Sequence, residues 1–225
     1  MSRPDGQGHT PKECPCPSGT TTQSYGDCFA VRSCANPLTL PKLTYMSIRG
    51  GVQARLDAAI QCGELTELVP LLPGTMARRV IMTPEVSVLV EYPSPDTLEG
   101  EKAMVLRGNL DGFVLGKRLK VARKALMKDP GAELAPVAPE SKGVWDFRVY
   151  HDEGALRCFG CFVAKDVFLA ISVEERDGLN FDQERESCLT CWWNLFAPYA
   201  PIYSASRNQA GVNLDDYLSQ PFTAS

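Results

Sequence analysis

Between Val144 and Val173 the chain alternates apolar and polar residues in three runs, broken by His151-Asp152-Glu153-Gly154 and by Ala164-Lys165-Asp166. Successive side chains of a strand point to opposite faces, so "VWDFRVY" (144–150), "LRCFGCFV" (156–163) and "VFLAISV" (167–173) predict three strands. Connections this short cannot make the crossover that parallel strands need, so the three form an antiparallel meander. If Tyr150 pairs with Ala155 across the turn, Arg148 falls opposite Arg157, and both share a face with Tyr150. Trp145, Phe147, Val149, Leu156 and Cys158 then form the core face. Like charges directly opposite one another destabilise a hairpin unless something negative lies between them. Either a bound anion supplies that negative charge, or the arginines face solvent and pair with a carboxylate of the hairpin itself, Asp146 or Glu153.

The middle run also carries a metal-like spacing, Cys158 and Cys161 followed by Cys188 and Cys191 as C-x2-C-x26-C-x2-C. Zinc would require "CFGC" to be a turn, for which Gly160 is suited. As a strand, the same residues send Cys158 and Cys161 to opposite faces, about 10 Å apart along the chain. The alternation favours the strand, and the four-cysteine site remains as the alternative. Cys188, Cys191, Trp192 and Leu195 share one face of a helix expected over 181–196, where a free cysteine suits burial as well as ligation.

Residues 1–41 are rich in Pro, Gly, Ser and Thr and read as an irregular arm. Its Cys14, Cys16, Cys28 and Cys34 match no familiar ligand spacing. Residues 42–83 read as a helical extension, with Val52, Leu56, Ala59 and Ile60 at helical spacing and a break at Gly63. "VSVLVEY" (86–92) reads as a β-branched strand ended by Pro93, and 96–108 as a helix. "LGKRLKVARKALMKDPG" (115–131) predicts a second, basic helix carrying Lys117, Arg118, Lys120, Arg123, Lys124 and Lys128. Such a run is either a solvated face or a docking surface for a polyanion. The tail from 201 reads as irregular, with a short turn around Leu214 to Leu218.

A net charge of −4 argues against a general electrostatic grip on nucleic acid, so any RNA contact must be local. No stretch reaches the roughly 18 apolar residues of a membrane helix, and no membrane partner is expected. The N-terminus lacks the apolar core of a secretory signal, so the nine cysteines are expected as reduced thiols in a cytoplasm.

The stretch "ALMKDPGAELAPVAPESKGVWDFRVYHDEGALRCFGCFVAKDVFLAISVEERDGLNF" resembles the RelE/ParE superfamily, in particular the HigB-like and phage-type toxins. That family combines a basic helix, a "gl-W-E-L-R" strand, a turn, an "R-v-f-y-f" strand and an "hvl-l-h-F-x-K-K" strand and loop. The resemblance extends over 84–200, roughly half of the chain. It implies an α+β fold, a small antiparallel sheet packed by two N-terminal helices and a C-terminal helix, flanked by the irregular arm and tail. It also implies a cytoplasmic toxin held by an antitoxin partner, a metal-independent endoribonuclease that cuts mRNA on the ribosome without a cofactor. Arg148, Arg157 and Arg176 match its cationic catalytic positions and would grip the scissile phosphate. Lys117, Arg118, Lys120, Arg123, Lys124 and Tyr150 would contact RNA. Two departures stand out. Glu174-Glu175-Arg176 replaces a basic pair, and Phe181 stands near where some members place a tyrosine. A catalytically degenerate binding or regulatory protein on the same fold is therefore the second reading, and a four-cysteine zinc module the third. His151 reads as an exposed turn histidine or as an acid-base group.

Overall fold

The computed structural model describes residues 45–125, 131–203, 211–219 and 222–224. The arm over 1–41 with its four cysteines, and Lys128, lie outside the described residues. Along the chain run α1 (Tyr45–Gln61), β1 (Thr66–Glu67), β2 (Arg79–Met82), α2 (Pro84–Glu91), α3 (Leu98–Val114) and β3 (Leu119–Val121). They are followed by β4 (Leu134–Pro136), β5 (Val144–His151), β6 (Gly154–Ala164), β7 (Val167–Glu175), α4 (Phe181–Phe196) and β8 (Phe222–Ala224). The strands form one mixed sheet in the order β1-β2-β7-β6-β5-β4-β3-β8. The fold is α+β.

The meander forms as its alternation requires. β5 pairs antiparallel with β6 in the register Arg148↔Arg157, Val149↔Leu156, Tyr150↔Ala155, and β6 pairs antiparallel with β7. Trp145, Phe147, Val149, Leu156 and Cys158 enter one core with α2 and α3, through Val86, Val90, Leu106, Leu110 and Phe113. Edge-to-face contacts tie Phe147 to Phe113 at 5.3 Å and to Phe168 at 5.1 Å. Val144, Phe159 and Cys161 face the other way, against Leu56 of α1 and Cys188, Leu189, Trp192 and Phe196 of α4. The sheet is thus covered by a helix pair on each face. Gly160 lies where β6 shifts register against β7, and a Cβ there would stand 2.0 Å from the Leu169 carbonyl oxygen. Glycine at 160 therefore serves close strand approach rather than a metal turn.

The sheet is mixed and eight-stranded rather than small and antiparallel, because β2, β3 and β8 add parallel pairs to the meander. Individual elements differ from expectation as well. The segment 86–92 is helical. Pro84 opens α2 at its first turn, Thr83 precedes it in an extended conformation, and Val86 and Val90 meet the core one turn apart. β-branched residues tolerate a helix when burial at helical spacing rewards them. The expected helix over 115–131 is absent from its described part. α3 stops at Val114 because Gly116 takes φ +75°, with Lys117 N–H donating to Gly112 O and Gly116 N–H to Phe113 O, a glycine-terminated helix end. Leu119–Val121 then runs as β3, parallel to β4 and β8.

Residues 42–83 supply more than a helix. β2 lies inside the sheet, parallel to β7, and α1 packs on the same core as α4. In the tail, a 3-10 turn over Leu214–Asp216 seats Tyr217 against Trp145 at 4.8 Å and Phe162 at 5.4 Å, and β8 pairs with β3.

Candidate functional site

Strand alternation places Asp146, Arg148 and Tyr150 of β5 on the α1/α4 face, and the register sets Arg157 of β6 beside Arg148. Asp146 is the shared counter-ion. One oxygen, Oδ2, lies 3.2 Å from Arg148 Nε and 3.2 Å from Arg157 Nη1. Asp146 is 2% exposed and Arg157 6%, while Arg148 is half-buried. Burial pushes the Asp146 carboxyl up, and the two guanidiniums pull it back. Burial likewise pushes Arg157 down, opposed chiefly by Asp146. Arg157 Nε is buried and makes no hydrogen bond among the described residues.

The pair sits in a row of charged residues across the sheet. Lys120 of β3 lies beside Glu133, whose carboxylate accepts the Lys120 N–H at 2.9 Å. Glu133 O accepts the Arg148 N–H, and beyond Arg148 come Arg157 and then Glu174 of β7. Asp146 thus bonds both arginines, and Glu174 stands opposite Arg157 in the register. Burial raises the Glu174 carboxyl, with Glu184 and Glu85 adding repulsion. Glu175 turns to the opposite face, where it holds the buried Lys102 of α3 at 2.8 Å. The two glutamates of "SVEERDG" thus do different work.

Tyr150 is 47% exposed, its ring centroid 5.8 Å from the Arg157 guanidinium. Arg176 is exposed just beyond β7, its N–H bonded to Ala155 O. Lys117 and Arg118 are exposed in the loop after α3, with Lys117 3.9 Å from Glu133. Arg123 and Lys124 are exposed after β3. The basic residues therefore occupy a strand and two loops, not one helix face. His151 is half-buried at the end of β5, 3.8 Å from Glu101, with Nδ1 accepting the Glu153 N–H. Phe181 packs edge-on to Phe159 at 5.8 Å. Lys102 carried no sequence signal as a site residue. Asp146 did, since i and i+2 share a face of a strand.

The cysteines divide between the two cores. Cys158 lies under α2 and α3, while Cys161 of β6 and Cys188 of α4 lie in the core on the other face. Among the described residues no group of three or more His, Cys, Asp or Glu is placed to hold a metal ion. Burial pushes the Cys188 thiol up to about 12, and the Cys158 and Cys161 thiols well above their ordinary range. Because the thiolate is the nucleophile, these three are expected to resist alkylation near pH 8 in the folded protein, whereas exposed Cys62 reacts. Peptide mass spectrometry after a short iodoacetamide pulse reads this directly. Native labelling of Cys158 or Cys161 would contradict the two-core assignment.

Comparison of the chain with protein-family models, with curated proteins and with solved structures finds no match.

Proposed function

We propose that this chain is a RelE-like protein that binds RNA locally and does not cleave it. The likeness in fold is supported by the β5–β7 meander followed by α4. Two helices, α2 and α3, precede the meander, but the basic helix over 115–131 that the resemblance includes is not formed among the described residues, where β3 runs instead. Beyond these the chain has α1, β1 and β2 before α2, β3 and β4 between α3 and β5, and β8 after α4. The absence of cleavage rests on one observation, Asp146 bonded to both arginines at 3.2 Å. A ribonuclease of this type works by positioning and by positive charge on the crowded phosphorane. Here one carboxylate already occupies the two guanidiniums, Glu174 stands opposite Arg157, and Arg157 is buried beneath the surface a phosphate reaches.

Binding needs less. Tyr150 offers an exposed ring for stacking, and Arg123, Lys124 and Arg176 are exposed cations. Purified full-length protein is expected to bind a fluorescent single-stranded RNA with an affinity that falls as salt rises. Tyr150→Ala should weaken that binding about tenfold, the loss of one stacked base. Fluorescence anisotropy measures both. Binding unchanged in Tyr150→Ala, or no binding at low salt, would remove the RNA-binding part of the proposal.

A further inference from the structure

The segment Val69–Met76, "VPLLPGTM", joins β1 to β2, contains no charged residue and turns its apolar side chains outward. Val69 is 71% exposed, Leu71 75%, Leu72 65% and Met76 46%. Ordinary connecting loops point polar side chains at water, and a cluster of apolar ones marks a contact surface. The backbone holds this arrangement in place. The buried pair Arg107–Asp111 of α3, 2.9 Å apart, grips the loop, Arg107 Nη2 donating to Val69 O and Asp111 Oδ2 accepting the Leu71 N–H at 3.2 Å. Two polar groups that would be costly to bring into an apolar medium are thereby already satisfied, and Pro70 and Pro73 have no N–H to satisfy.

The charges around the loop fit one partner. Its base packs on the end of α3, with Gly74 against Leu115 and Ala77 against Gly116, so Lys117 and Arg118 lie beside it. Lys165 lies at the same end, because Arg79 N–H donates to Asp166 O. All three are exposed. The acidic groups close by are engaged internally, Glu67 with Arg79 at 2.7 Å, Asp111 with Arg107, and Asp166 with Arg78 at 3.5 Å. Glu133 stands 3.9 Å from Lys117, and exposed Asp215 and Asp216 on the 211–219 segment limit the local positive potential.

We propose that Val69–Met76 is a peripheral membrane anchor that inserts its apolar side chains among the headgroups of an anionic lipid surface, with Lys117, Arg118 and Lys165 on the phosphates. An apolar tip flanked by cations is the combination that such interfacial contacts use. No helix among the described residues is long and apolar enough to cross a membrane, so the contact is superficial. The sequence expectation of no membrane partner came from the search for a spanning segment, which does not register an eight-residue loop.

The test is co-sedimentation of full-length protein with phosphatidylcholine vesicles with and without phosphatidylserine, at low and high salt. Expected are binding to the anionic vesicles that weakens with salt, and about tenfold weaker binding for Leu71→Ser/Leu72→Ser. Lys117→Glu/Arg118→Glu should also bind about tenfold more weakly. These side chains are exposed, so unfolding midpoints should match wild type. No sedimentation with anionic vesicles, or equal binding by the leucine variant, would overturn the proposal. A concentration-dependent dimer in light scattering that Leu71→Ser/Leu72→Ser abolishes, without vesicle binding, would assign the loop to a second copy of the chain instead.

Discussion

Asp146→Ala is expected to destabilise the fold by about 3–5 kcal/mol, the cost of leaving buried charge without its partner. The carboxylate is the group that allows Arg148 and Arg157 to face each other across β5 and β6. Without it, a 6%-exposed guanidinium and a half-buried one repel at a directly opposed position, with little water to screen them. Arg157→Met alone should cost less than Asp146→Ala, because Asp146, at 2% exposure, keeps Arg148 at 3.2 Å. The combination Asp146→Leu with Arg157→Met should recover part of the loss, since the buried pair is replaced by apolar groups while half-buried Arg148 loses its carboxylate. Urea unfolding of the three variants measures the set. A loss below about 1 kcal/mol for Asp146→Ala would mean that the ion triad is no more than a surface arrangement.

Arg78→Met is expected to cost a similar amount, about 3–5 kcal/mol, for a different reason. Arg78 is 2% exposed and holds three segments together. It donates to Phe113 O and Lys117 O at the end of α3, and to Ser219 O in the C-terminal segment at 3.0 Å, with its guanidinium 5.2 Å from the Phe113 ring centroid. Its Nε faces Asp166, which also binds the Ser219 N–H and hydroxyl and adopts φ +62° in the β6–β7 turn. Burial pushes the Arg78 guanidinium down, and Asp166 opposes that shift. Methionine keeps much of the volume and leaves three carbonyls without their donor. The melting temperature should fall on the order of 10 °C. Hydrogen exchange should rise first at Tyr217 and Leu218, whose segment loses its tether. An unchanged melting temperature would show that the carbonyls find other donors.

What could be read from sequence divides by the range of the interaction. The β5–β6 register follows from local alternation and turn length, so the pairing of Arg148 with Arg157 and the opposed faces of Cys158 and Cys161 are both visible in a few residues. The Phe181–Phe196 helix is visible in the same way, from its apolar spacing, and the structure adds the cap, Asn180 accepting the Asp182 and Gln183 N–H groups. The failures have equally specific causes. "VSVLV" carries strand-type residues, yet Pro84 and the burial of Val86 and Val90 one turn apart make it a helix. The basic run looks continuous by composition, but Gly116 ends α3 within it and Leu119–Val121 finds two strand partners, one of them at the far end of the chain.

The site shows the same division. That a carboxylate would sit between the arginines was one of two alternatives visible in the hairpin, and the choice between them required the burial of the strand. Glu174 and Glu175 look like a single repulsive pair in sequence, whereas the sheet sends one toward Arg157 and the other to Lys102. The grip of Arg78 on Ser219 spans 141 positions and leaves no local pattern at all.

Under the proposed function, Asp146 neutralises the Arg148–Arg157 pair from within and the protein binds RNA without cutting it. The most direct measurement adds purified full-length protein to translating ribosomes and maps mRNA ends by primer extension. The account predicts an uncut message at protein concentrations that saturate RNA binding, for wild type and for Arg157→Ala alike. Codon-spaced cuts in the ribosomal A site that appear with wild type and vanish with Arg157→Ala would contradict it.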